Sequence, residues 1–129
     1  MVKKFISVLI ISIILFGLAI TELVLVTKFI KELDSDVSNL MIEYEANKDN
    51  ITSVVPDIKI LKDKWDSHEH SLCLMFNHKD MTSITDCISK LLSYTENGNY
   101  EEGYVELHLL KEYSEKNPHI MGCNWNNIL

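Results

Sequence analysis

Hydrophobic positions follow two regimes along the 129-residue chain. The first is an unbroken run. Residues 5–21, FISVLIISIILFGLAIT, carry no charge, and after Glu22 the apolar character resumes at Leu23-Val24-Leu25-Val26. As a helix the uncharged run covers about 25 Å, and counted to Val26 it is long enough to cross a hydrocarbon core of about 30 Å. Glu22 then falls near an interface, where a carboxylate meets headgroups at modest cost. The second regime is amphipathic. Val37, Leu40, Met41 and Tyr44 stand at i, i+3, i+4 and i+7, one face of a helix. This helix either continues the apolar one or starts anew with a cap at Ser35 or Asp36. Asn47-Lys48-Asp49-Asn50 ends it with turn formers.

The next stripe is the clearest in the chain. Val54, Ile58, Leu61, Trp65, His68, Leu72 and Met75 alternate in steps of four and three, which keeps one face in line over about six turns. Pro56 is compatible because it lies in the first turn, where its missing N–H has no intrahelical partner to lose. Asn77-His78-Lys79-Asp80 marks a turn, and Ile84, Ile88, Leu91, Leu92 and Thr95 predict another amphipathic helix. Asn97-Gly98-Asn99 closes it, with Gly98 suited to a left-handed position after the helix end. Tyr100, Tyr104, Leu107, Leu110 and Tyr113 line a last helix, which the pattern stops before Asn117-Pro118. Residues 119–129 are expected to dock on the bundle. Tyr44-Glu45-Ala46-Asn47 returns as Tyr94-Thr95-Glu96-Asn97, and residues 57–61 resemble residues 106–110, a period of about 50 that suggests two stacked helical hairpins. The expected fold is all-α: an N-terminal transmembrane helix followed by a small helical-hairpin bundle. The expected boundaries are 1–33 for the anchor and 34–129 for the bundle.

Charge sharpens that division. All twelve basic residues are Lys. Residues 1–33 hold four Lys and two Glu, whereas residues 34–129 hold eight Lys and seventeen Asp and Glu. The second part is therefore strongly acidic, is repelled by anionic headgroups and has no basic face for phosphate backbones, so nucleic acid is not an expected partner. The membrane is, through residues 5–26. A cleaved signal peptide with Gly17-Leu18-Ala19 at its cleavage site is the rival reading, but the apolar run passes straight through Ala19. Lys3 and Lys4 flank one side of the run and Lys28 and Lys31 the other, so the positive-inside count is close to a tie. The expected placement is single-pass in a plasma membrane, with the C-terminal part extracytoplasmic.

Candidate chemistry is sparse. His68-Glu69-His70 lacks the i, i+4 spacing that lets two imidazoles share a zinc ion on one helical face. His70, Cys73 and His78 are weak candidate metal ligands, with no fourth ligand evident, and His68 is expected in the core stripe beside Trp65. Cys73 and Cys87 lie at matching distances from the turn near Lys79. A bridge between them is demanding because packed helix axes stand about 8–10 Å apart, so two buried thiols are the preferred expectation. Asn50-Ile51-Thr52 has the form of a glycosylation sequon. Four scattered Gly build no phosphate-cradling loop, and no catalytic residue or cofactor is assigned.

Trp65-x-x-His68, Phe76-x-His78 before an Ile-rich helix, a Tyr-x-x-Asn turn and the ending Asn127-Ile128-Leu129, together with the Lys-flanked apolar start, resemble bacterial domain-of-unknown-function family 4363. The resemblance spans nearly the whole chain. It implies a small protein of the kind found mainly in Firmicutes, with one membrane segment, and draws interest to Trp65, His68 and His78 without giving them a role. Cys73, Cys87 and Cys123 depart from the usual pattern. The leading expectation is a non-enzymatic interaction module that meets a membrane protein or a second copy of itself. The alternative is a metal-binding or sensor domain using His68, His70, Cys73 or His78.

Overall fold

The computed structural model describes residues 1–73 and 76–121. Among these residues there are four α-helices and no strand: α1 (Val2–Ala46), α2 (Val55–Leu72), α3 (His78–Glu96) and α4 (Tyr100–Met121). A 3₁₀ segment, Lys48–Val54, joins α1 to α2. Helix α1 runs without a break through Asp34-Ser35-Asp36, so the continuation rather than the new cap is realised. Both acidic side chains turn sideways instead of back onto the backbone. Asp34 accepts from Lys111 Nζ at 2.7 Å and from Ser114 Oγ at 2.8 Å on α4, while Asp36 accepts from Lys64 Nζ at 2.6 Å on α2. Residues i and i+2 stand about 200° apart on a helix, which is why the two carboxylates reach opposite neighbours.

These ties set the topology. Residue 36 of α1 lies beside 64 of α2, 65 of α2 beside 85 of α3, and 38 and 45 of α1 beside 111 and 104 of α4. Each helix is antiparallel to its neighbours, so the bundle is up-down-up-down and closes with α4 against α1. Its core face on α1 is Val26, Phe29, Ile30, Leu33, Val37, Leu40 and Tyr44, one helical stripe in which all are buried. From α2 come Ile58, Leu61, Trp65 and Leu72; from α3 Met81, Ile84, Cys87, Ile88 and Leu91; from α4 Leu107 and Leu110. Ile58 and Leu107, which correspond in the 50-residue repeat, are both fully covered. Burial on this scale is worth about 1.5–3 kcal/mol per large apolar side chain and is the main driving force of the bundle.

The turns follow their residues. In the 3₁₀ segment Asn50 leaves helical geometry (φ −146°, ψ 62°), accepting through its own side chain from Thr52 Oγ1 and through its carbonyl from Ser53 Oγ. Asn77 caps α3 by accepting from the Lys79 N–H at 3.1 Å. Gly98 takes φ 71°, its N–H bonds Thr95 O and the Asn99 N–H bonds Tyr94 O, the paired closure that a left-handed residue after a helix allows.

Two expectations change. Helix α4 does not stop before Asn117 but continues to Met121. Proline deletes one hydrogen bond and crowds the preceding turn without forbidding the helix beyond it. His68 sits on the predicted stripe yet is exposed, because it reaches the rim of the α1–α2 contact rather than the interior. Met75 and residues 122–129, including Cys123 and the expected docked tail, lie outside the described residues.

Candidate functional site

The bundle has two ends of different character. The junction end is where α1 enters from its apolar N-terminal half. There the large apolar side chains up to Leu25 are exposed, whereas Val26 and Phe29 are buried. The strongest apolar window of α1 has a mean hydropathy of 2.7 and none of it is covered by the bundle. One helix is thus long and apolar enough to cross a membrane.

Beside that transition α1 and α2 leave a groove of about 330 Å³, lined by Glu22, Lys28, Phe29, Glu32, His68 and Ser71 among others. Its floor is a ring pair, Phe29 and His68 stacked at 4.1 Å between centroids and 14° between planes. Trp65 lies behind Phe29 at 6.2 Å and anchors to α3 by donating from Nε1 to Thr85 Oγ1 at 2.9 Å. His68 Nδ1 stands 2.9 Å from the Lys64 carbonyl. The Ser67 hydroxyl stands 3.0 Å from the same nitrogen, so Nδ1 is engaged within α2. Glu32 is shared between Lys28 at 3.9 Å and Lys64 at 3.6 Å. The hydrogen bond to Asp36 holds the Lys64 ammonium above its ordinary range, against the opposing pull of burial.

The far end is tight. Tyr44 is fully buried and its hydroxyl lies 3.2 Å from Thr95 Oγ1. Thr95 already donates to Leu91 O at 2.7 Å, so the tyrosine is the donor. Burial, only partly offset by that contact, raises the Tyr44 hydroxyl pKa. Gly103 makes the approach possible: a Cβ there would overlap the Tyr44 hydroxyl and crowd its Cζ at 3.0 Å. Tyr100 and Tyr104 stack on Tyr44 at 5.3 and 6.3 Å, with Lys48 5.1 Å above the Tyr100 ring. Tyr104 donates to Glu45, and that carboxylate pushes the phenol up to about 12.

The candidates named from the sequence disperse. Trp65 is core. His68 floors the groove by its stack. His70 and Cys73 are exposed near the end of α2, and His78 opens α3 on the exposed surface. Among the described residues no three His, Cys, Asp or Glu side chains come together as a metal-holding group. Cys73 and Cys87 are unbridged, and of the expected pair of buried thiols only Cys87 is buried. Burial and the neighbouring Glu106 carboxyl raise the Cys87 thiol to about 12, which keeps it protonated and unreactive. Reasoning from spacing passed over Phe29, Gly103 and the Asp34–Lys111 tie. Phe29 had a readable signal, since 26, 29, 30 and 33 extend the 37, 40, 44 series backwards into the apolar run.

Residues 22–128 match the family model described as Domain of unknown function (DUF4363). The chain belongs to the DUF4363 family. The matched span begins at Glu22, directly after the uncharged run, so the DUF4363 region of this chain takes in the bundle and the groove while residues 1–21 precede it. No match was found among curated proteins or among solved structures.

Proposed function

We propose that this DUF4363 chain is a membrane-anchored, non-enzymatic interaction module, held at the outer face of a plasma membrane by residues 5–26. The observation that carries the reading is the two-part surface of α1: one uninterrupted helix, apolar and uncovered up to Leu25, then buried in a bundle from Val26. About 24 residues precede Val26 in that helix, roughly 36 Å of rise, enough for a core of about 30 Å. The exposed Val105 and Leu109 on the outer face of α4 supply the contact surface for a partner, and the acidic bundle favours a partner face bearing Lys or Arg.

The test has two arms in membranes from cells producing the full chain. After alkaline carbonate washing the protein stays with the membrane fraction, and protease added to intact cells digests the bundle. A photo-crosslinking residue at position 109 yields a discrete protein adduct, whereas the same residue at buried position 107 yields none. Release by carbonate sinks the anchor, protection of the bundle sinks the outward orientation, and a bare monomer at position 109 sinks the interaction role.

A further inference from the structure

The groove at the junction end combines three features that the packing of its apolar wall does not explain. It opens at the level of Glu22, Leu25 and Val26, the last turn of the apolar segment, so on the membrane reading above it lies at headgroup depth. Its lining carries both signs: Glu22 and Glu32 against Lys28. It also offers hydrogen-bonding groups, the Ser71 hydroxyl and the His68 ring, beside the stacked Phe29–His68 pair. Its volume of about 330 Å³ is within the range of small-molecule sites.

We infer that this groove binds the headgroup of a zwitterionic phospholipid bearing a primary ammonium, that is, phosphatidylethanolamine. The Glu22 carboxylate receives the ammonium, with Glu32 behind it partly neutralised by Lys28 and Lys64. Lys28, Ser71 and His68 face the phosphate. The acyl chains leave along the exposed side of Leu25 toward the uncovered apolar turns before it. Charge selects the headgroup. An anionic lipid would meet two carboxylates and an acidic bundle of eight Lys against seventeen Asp and Glu. A choline headgroup has no N–H to donate to Glu22, whereas an ethanolamine ammonium donates up to three hydrogen bonds, and charge-assisted bonds of that kind are the stronger ones.

The inference rests on the membrane reading, and the experiment separates the two. The full chain is reconstituted into vesicles of phosphatidylglycerol mixed with either phosphatidylethanolamine or phosphatidylcholine. Flotation reads insertion, and native mass spectrometry after gentle detergent release reads the lipid retained. The expected result is insertion in both mixtures and one retained phosphatidylethanolamine, preferred about tenfold over phosphatidylcholine. Glu22→Gln removes the preference while leaving insertion and helicity unchanged. Lys28→Gln lowers retention of both lipids, since both carry the phosphate. Failure to float overturns the membrane reading together with this inference. Insertion with equal retention of the two lipids, retention of neither, or a preference that survives Glu22→Gln overturns the inference alone.

Discussion

The two ends of the bundle are built from the same helices and differ in how they are filled. At the far end Tyr44, Thr95 and Gly103 leave no room for a methyl group, and every buried hydroxyl there has a partner. At the junction end α1 and α2 leave a groove, open to the surroundings, beside the stacked Phe29–His68 pair. The difference separates a place where sequence is fixed by packing from a place where it is left available for contact. Side chains at the far end should therefore carry stability, and the exposed ones at the groove, His68 among them, should carry little.

The largest effect expected from that contrast is at Tyr44. Tyr44→Ala empties a fully covered aromatic site and should cost about 3–5 kcal/mol, read as the change in urea unfolding midpoint of the full chain in detergent. A loss below about 1 kcal/mol would mean that the far end is not the tight one. Thiol chemistry gives a second contrast. In a Cys123→Ser background, iodoacetamide should modify exposed Cys73 at least about a hundredfold faster than Cys87, which is buried and held protonated near 12, as followed by peptide mass spectrometry. Equal rates would show that the interior opens as readily as its rim.

Next comes Gly103→Ala, for which about 1–3 kcal/mol of overpacking is expected. Tyr44→Phe removes the overlapping hydroxyl, so the double variant should lose less than the sum of the two single ones. Strict additivity would deny the contact. A smaller effect concerns the Asp34–Lys111 tie between the ends. Burial alone would raise the Asp34 carboxyl, but hydrogen bonds from Lys111 and Ser114 and the Lys111 charge outweigh it and hold it below the usual carboxylate range. Lys111 is raised in turn, first by its hydrogen bond to Asp34. A lowered acid contributes above its unfolded value near 4 and loses that contribution as pH falls through the lower folded value. A raised base contributes below about 10.4 and loses it as pH climbs past the higher folded value. Side-chain exposures of 22% and 36% leave solvent screening strong, so about 0.5–1 kcal/mol is expected. The unfolding midpoint of Asp34→Asn should therefore fall less between pH 6 and pH 3 than that of the unaltered chain. The smallest effect is at the groove floor, where His68→Ala should shift stability by under about 1 kcal/mol; a larger loss would make the ring pair a structural element after all.

The helical stripes were legible because burial in a bundle of antiparallel helices imposes a period that Val54, Ile58, Leu61 and Trp65 obey without exception. Gly98 was legible because its left-handed conformation is nearly exclusive to glycine. Asp34-Ser35-Asp36 left continuation and a new cap both open because a cap and a sideways ion pair use the same residues, and the sequence does not say where Lys64 and Lys111 stand. His68 misled because its spacing places it on the stripe, while its height along α2, at the rim beside Phe29, decides its exposure. Gly103 carried no sign at all: a glycine that admits a distant tyrosine looks like any other glycine in a polar helix.

The continuity of α1 has a mechanical consequence. A helix with no hinge between its apolar and buried halves acts as a lever. Residues 26–46 extend about 31 Å past the junction, so, on the anchoring proposed above, a tilt of about 20° in the apolar half, a common response to bilayer thickness, would displace the far end sideways by roughly 11 Å. The tyrosine-packed tip would then travel over the surface whenever the bilayer thins or thickens, turning a change in thickness into a change in reach.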